Sequence, residues 1–263
     1  MMLLKGKTGL ILGVANRRSL AWAAATAVAR EGARLALSCR SERIEENVRE
    51  LARQLDRPLI LRCDVTQDAD LDRMPETLRR SFGTLDFVIH AVAFAQREDL
   101  AGRFRDTTRA GYHLAQDVSS YSLTAVARRV APLMEGRDGS IVTLTYLGGQ
   151  RVVPHYNVMG VAKAALDMSV RYLAADLGPE HIRVNAISAG PVRTLAASGI
   201  RGLSRLLSFH RAYAPLRRNT ALEDIGNAAL FLVSHLSRGI TGEVIHVDNG
   251  FHILGLAGLD PEG

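Results

Sequence analysis

Lysine is scarce in this chain: Lys5, Lys7 and Lys163 stand against thirty arginines. Arginine supplies surface charge as well as lysine does, but its planar, permanently protonated fork cannot replace a compact ammonium in a small polar site. The survival of Lys163, far from the other two, is a first hint of chemistry. Cysteine is nearly absent as well. Cys39 and Cys63 lack the spacing of a metal site or a disulfide framework, which fits a reducing compartment. Eight histidines lie scattered, with no H-E-x-x-H or comparable ligand set, so no metal is expected. No apolar run approaches the roughly 20 residues of a membrane span, and residues 1 to 7 hold too short a run for a signal segment. These absences predict a soluble, cytoplasmic protein with no membrane partner.

Apolar material, by contrast, is ample. Hydrophobic residues fill 47% of the 263 positions and mean hydropathy is +0.04, enough to bury one large core. A single domain over residues 1–263 is expected. The formal charge of +6 would suit an acidic partner. Its basic residues are dispersed, however, without a nucleic-acid-binding signature, so the plainer reading is a solvated surface and no nucleic-acid partner.

Short apolar runs alternate with longer amphipathic ones almost from end to end, the pattern of repeated β-α units. Seven brief, β-branched strands are expected at 8–13, 34–38, 59–62, 85–89, 140–145, 183–187 and 243–247. Helical patterns lie near 19–31, 41–55, 67–82, 112–134, 157–178 and 222–234. Right-handed crossovers then place helices on both faces of one parallel sheet, a Rossmann fold of the α/β class whose ligands bind beyond the carboxyl ends of the strands. Residues 191–213 break the rhythm. The segment is long for a connection, and such loops usually serve as lids. Ile200, Leu203, Leu206 and Leu207 fit one helical face within it, though packing alone would also explain that face.

The first strand ends at Gly13, and Ser19 opens the next helix, forming a dinucleotide turn with most of its glycines missing. Gly13 permits the tight turn, while Ser19 offers a hydroxyl and a backbone N–H where a helix N-terminus meets pyrophosphate. The tip of the second strand carries no acid for a ribose 2′-hydroxyl. Arg40, with Arg43 near it, suits a 2′-phosphate instead, which keeps NADPH open beside NADH. Asp64 and Val65 close the third strand, where Asp64 is placed to accept from an adenine amino group.

Tyr156 and Lys163 lie seven residues apart, about two helical turns, and so emerge on nearly one face. A nearby ammonium favours the ionised phenol and makes Tyr156 a better donor near neutral pH. In isolation the pair reads more readily as an exposed helix face. Its position at the mouth of the fifth strand of a doubly wound chain favours chemistry.

The chain resembles the short-chain dehydrogenases, with the usual Tyr-x3-Lys widened to Tyr-x6-Lys and the usual serine replaced by Tyr146. That arrangement is similar to the bacterial enoyl-[acyl-carrier-protein] reductases of type II fatty-acid synthesis. So are the run from Arg183 to Ile200 and the run from Ile240 to Phe251. His90-Ala91-Val92-Ala93 departs from the Asn-Asn-Ala-Gly of ordinary short-chain dehydrogenases, in agreement with that branch. The resemblance implies cofactor contacts from Gly13, Ser19, Leu20, Arg40, Asp64, Val65, Val92, Lys163, Val192, Arg193, Thr194, Leu195 and Ala196. It implies an acyl pocket shaped by Ala95, Tyr146, Tyr156, Met159, Ile200, Leu203 and Leu206, with Tyr146, Tyr156 and Lys163 catalytic.

The implied reaction is NAD(P)H-dependent reduction of a trans-2-enoyl thioester on an acidic acyl carrier protein, which Arg193, Arg201 and Arg205 beside the lid are placed to receive. A homotetramer is implied as well. Two rivals stand beside this reading: a 3-oxoacyl or other carbonyl reductase of the same superfamily, and a non-catalytic dinucleotide sensor.

Overall fold

Runs of branched apolar residues can be buried on both faces only in a parallel sheet covered by helices, and this chain folds that way. A computed structural model describes residues 2–194 and 202–256. Its strands are β1 (Thr8–Leu12), β2 (Arg34–Cys39), β3 (Leu59–Arg62), β4 (Phe87–His90), β5 (Ser140–Thr145), β6 (Arg183–Ala189) and β7 (Val244–Val247). All pair in parallel in the order β3-β2-β1-β4-β5-β6-β7. The expected seven-stranded doubly wound sheet is borne out, with β4 starting at Phe87 rather than Leu85.

The helices are α1 (Leu20–Arg30), α2 (Glu42–Ala52), α3 (Asp68–Phe82), a one-turn α4 (Arg97–Leu100), α5 (Arg109–Gln116), α6 (Ser122–Met134), α7 (Asn157–Leu177), α8 (Leu203–Tyr213) and α9 (Leu222–Val233). One face of the sheet packs on α3, α6 and α7 through residues such as Leu71, Val126 and Leu166. The other packs on α1, α2 and α9. Each fully buried Leu or Ile contributes roughly 1.5–3 kcal/mol. Alanines 21, 24 and 25 line the buried side of α1, and a Cβ on Gly226 would lie 2.6 Å from the Ala23 carbonyl, so α1 and α9 pack with almost nothing between them.

The single helix expected over 112–134 is interrupted by a π turn at Asp117–Tyr121, which has a positional consequence. The turn points Ser119 and Ser122 inward, and the Ser119 hydroxyl accepts from Phe94 N at 2.9 Å and donates to Phe94 O at 3.0 Å. That pair ties down the segment after β4, which carries Val92 and Ala95.

Candidate active site

The chain steps from edge strand β3 back across the sheet to β4 beside β1, so a crevice opens between the carboxyl ends of β1 and β4, where ligands of such sheets bind. Gly13 occupies the β1 end at φ 92°, and a Cβ there would lie 2.2 Å from the Ala91 carbonyl. Only glycine meets both demands. Beyond it Ser19 caps α1: its hydroxyl donates to Asn16 O at 2.8 Å and accepts from Trp22 N at 3.2 Å. The Ser19 N–H is also engaged, by Asn16 O at 3.0 Å. The expectation that Ser19 itself presents donors is therefore corrected. The N–H groups of Leu20 and Ala21 meet no acceptor among the described residues and stand at the positive end of α1.

Arg40 is exposed at the tip of β2, its guanidinium 5.8 Å from the centre of the Phe94 ring. Asp64 is partly occupied by its own turn, Oδ1 accepting from Thr66 N at 3.0 Å and Thr66 Oγ1 at 2.8 Å. The Val65 side chain lies in the core and Val92 packs against it, so each offers the crevice its backbone. Val192, Arg193 and Thr194 follow β6 in irregular chain, with the Thr194 N–H donating to Val192 O at 2.9 Å and Arg193 exposed. Leu195, Ala196, Ile200 and Arg201 lie outside the described residues. A bare backbone at Gly13, free N–H groups at α1 and the β1/β4 crossover fit a dinucleotide.

The side-chain half of the site stands at the end of β5 and the start of α7. Tyr156 is the residue that precedes α7, between two positions held in the left-handed region, His155 at φ 61° and Asn157 at φ 34°. Strain of this kind collects at functional sites. The Asn157 amide donates to the carbonyls of Ala101 and Gly102, which fixes the bend. Tyr156 is 9% exposed and Lys163 4%, so the pair is buried and not an open helix face. The Tyr146 ring meets the Tyr156 ring edge-on, centres 5.0 Å apart. Tyr146, Tyr156, Met159 and Ala95 share one apolar cluster with Leu100 and Val153, which no sequence motif singled out.

Lys163 Nζ donates to Leu144 O at 2.7 Å. Burial pulls its pKa down to about 8, against the opposing pull of Asp167. His90, hydrogen-bonded to Thr143 and Ser122, is brought down to about 3 by burial and then by the Lys163 charge, and so stays neutral. The expected acidification of Tyr156 is overturned. Burial raises its pKa, and Tyr146 and Asp167 raise it further. The phenol is a neutral donor, not a phenolate. Tyr146 is likewise pushed up to about 12, by burial and then by Asp248.

Beside Tyr146 a small cavity is lined by Leu147, Gly190, Pro191, Leu206, His210, Asp248 and Phe251. Leu206 reaches it from α8, and Leu203 sits half-buried at the start of that helix. His210 had no motif to mark it, and Asp248 and Phe251 lie in the family-like run ending at Phe251 but were given no site role. His210 Nε2 pairs with the Asp248 carbonyl at 3.0 Å, fastening α8 to the chain after β7.

A doubly wound sheet with a dinucleotide crevice and a buried Tyr/Lys pair defines a nicotinamide-dependent reductase of the short-chain dehydrogenase type. The profile described as "Enoyl-(Acyl carrier protein) reductase" matches residues 13–252. The chain is 55% identical to enoyl-[acyl-carrier-protein] reductase [NADH] FabI of Bacillus cereus over 97% of its own length and 100% of that protein. A crystal structure of the Bacillus cereus enoyl-acyl carrier protein reductase with NADP+ and indole naphthyridinone superposes with a TM-score of 0.96 at 54% identity, covering 97% of this chain and 100% of that one. The enzyme of Anaplasma phagocytophilum in complex with NAD gives 0.93 at 50%, covering 98% of each. The chain belongs to the enoyl-[acyl-carrier-protein] reductase family.

Proposed function

We propose that this chain reduces the trans-2 double bond of enoyl thioesters carried on acyl carrier protein, with NADH as reductant and NADPH admitted by Arg40. Gly13, the Leu20 and Ala21 N–H groups and Lys163 would hold the dinucleotide. When bound, the reduced nicotinamide supplies a hydride equivalent for the β-carbon of the substrate. The residues of the chain must then hold the charge that collects on the thioester oxygen, and stabilisation of such a charge usually accounts for more of the rate than any other single effect. The buried, neutral Tyr156 phenol donates a hydrogen bond to that oxygen. Lys163 fixes the ribose hydroxyls and adds positive potential in a low-dielectric setting, where a charge acts strongly. Tyr146, with Ala95 and Met159, walls the pocket, and Leu203 and Leu206 of the 191–213 lid face the acyl chain.

The observation that carries this reading is the edge-to-face Tyr146–Tyr156 pair, with Lys163 buried two turns along the helix that Tyr156 heads. An aromatic wall stands where the carbonyl-reducing branch places a serine. Following oxidation of NADH and NADPH with a crotonyl thioester tests it. Tyr156→Phe is expected to lower kcat by about 10²–10³ with cofactor affinity retained, and Lys163→Ala to act chiefly through cofactor binding. Full activity in both, or reduction of a 3-oxoacyl thioester instead, refutes the reading. We take the working form to be a cytoplasmic homotetramer of single-domain chains. Exposed Tyr112, Tyr121, Met168 and Tyr172 on neighbouring helical segments support self-association, and light scattering checks the mass.

A further inference from the structure

Behind the catalytic pair lies a group that the proposed reaction does not use. Asp167 follows Lys163 by four residues on α7, and Arg171 follows Asp167 by another four, so the three share one helix face. Lys163 and Asp167 are buried, at 4% and 5% exposure, while Arg171 is exposed. Both Asp167 carboxylate oxygens and the Thr145 hydroxyl on β5 are shut off from solvent without a hydrogen-bond partner among the described residues. The Thr145 hydroxyl lies beside the carboxylate and favours its charged form, though no bond of good geometry closes between them.

An orphaned buried carboxylate costs several kcal/mol. Packing therefore does not account for it. The Lys163 ammonium, one helical turn back and buried like it, does, acting at longer range than a contact ion pair. Burial alone drives Lys163 toward the uncharged amine, and among the described residues Asp167 is the one group that draws it back.

We propose that Asp167, backed by Thr145, is a positioning residue for this reaction, a buried counter-charge that keeps Lys163 protonated and directed at the cofactor side of the site. The inference rests on the role given to Lys163 above. The other groups acting on the pair are few. Arg171 faces Asp167 from the solvent end of the same helix, and burial is the first influence on Asp167, raising its pKa. The neutral His90 faces Lys163 from β4, and the neutral Tyr156 phenol stands at the head of α7. No charge from α5, the π turn or α6 shifts either group.

The scarcity of lysine makes the test direct. Selective ¹³Cε-lysine labelling of the full chain gives signals from only Lys5, Lys7 and Lys163, the last assigned by its loss in Lys163→Met. In the cofactor-free protein Lys163 is expected to titrate at about 8, and in Asp167→Asn about one pH unit lower, with Asp167→Glu restoring it. The kcat/KM for NADH should then be close to native at pH 6.5 and roughly tenfold lower at pH 8.5, the loss lying in KM. Thr145→Val, which leaves the carboxyl in place, should move the Lys163 titration less and in the same direction, and it serves if Asp167→Asn does not fold. An unmoved Lys163 titration in these variants overturns the proposal, as does an equal activity loss at both pH values. Full enoyl reduction by Lys163→Met would instead sink the reading of Lys163 itself, while leaving the titration result standing.

Discussion

At the β1 side of the crevice the groups that face a ligand belong to the backbone, whereas at the β5–α7 side they are side chains withdrawn from water. The first half consists of a glycine, the N–H groups at the head of α1 and chain ends held by local turns. The second consists of two tyrosines, a lysine and an aspartate, none of whose protonation follows its ordinary solution value. A backbone site is indifferent to most side chains, which is why this chain manages with Gly13 alone where three glycines are usual. A side-chain site depends on how completely it is buried, so each member is set by its neighbours.

The strongest blow to this contrast falls on Gly13. Gly13→Ala adds a Cβ 2.2 Å from the Ala91 carbonyl at φ 92°, and neither backbone has a flexible end to move aside. Strain and overpacking together are expected to cost roughly 3 kcal/mol or more. Urea denaturation should show the loss as a lower midpoint at unchanged slope, with NADH affinity reduced in what remains folded. A stable, tightly binding variant would mean that the β1 end does not depend on backbone shape.

Gly148→Ala sharpens the other side. Its Cβ would lie 2.4 Å from Tyr156 Cδ1 and 3.2 Å from Tyr146 Cδ1, and both rings can yield. Stability should therefore fall by only about 1–2 kcal/mol. Displacing the Tyr156 donor by even a fraction of an ångström is expected to lower kcat by roughly 10- to 100-fold. Dinucleotide affinity, measured by fluorescence titration, should hold within about twofold because the β1 half is untouched. Matched losses in kcat and affinity would show that the two halves act as one.

The same division decides what could be read in advance. Strands and helices were legible because hydrophobic period and burial are local properties of the sequence, and β1 through β6 lie within two residues of their expected starts. Tyr156 and Lys163 were legible by spacing. The ionisation of Tyr156 was not, because spacing measures proximity to Lys163 and is silent about burial, and burial governs. Phe251, His210 and Asp248 were missed because α8 and the chain after β7 meet only in the fold. Asp167 reads in sequence as one more polar residue on a long amphipathic helix. Only the closure of β5 over it turns it into a charge with nowhere else to go.

The smallest effect is expected at Arg40, an exposed side-chain charge on the β1 half. Its guanidinium lies over the Phe94 ring, a contact contributing about 0.5–1 kcal/mol at an exposed position. Phe94 is in turn fixed by Ser119 of the π turn, so the charge stands in a defined place without an acidic partner among the described ion pairs. A 2′-phosphate would meet it in water, where screening limits the gain. Arg40→Ala is therefore expected to weaken NADPH by roughly tenfold or less, and NADH hardly at all, with the difference shrinking as salt is raised. Steady-state kinetics with both cofactors at two ionic strengths measures this. An equal loss for NADH and NADPH would assign Arg40 to holding Phe94 and the β4 segment in place, and a salt-independent loss would mean that the guanidinium is far better shielded than its exposure allows.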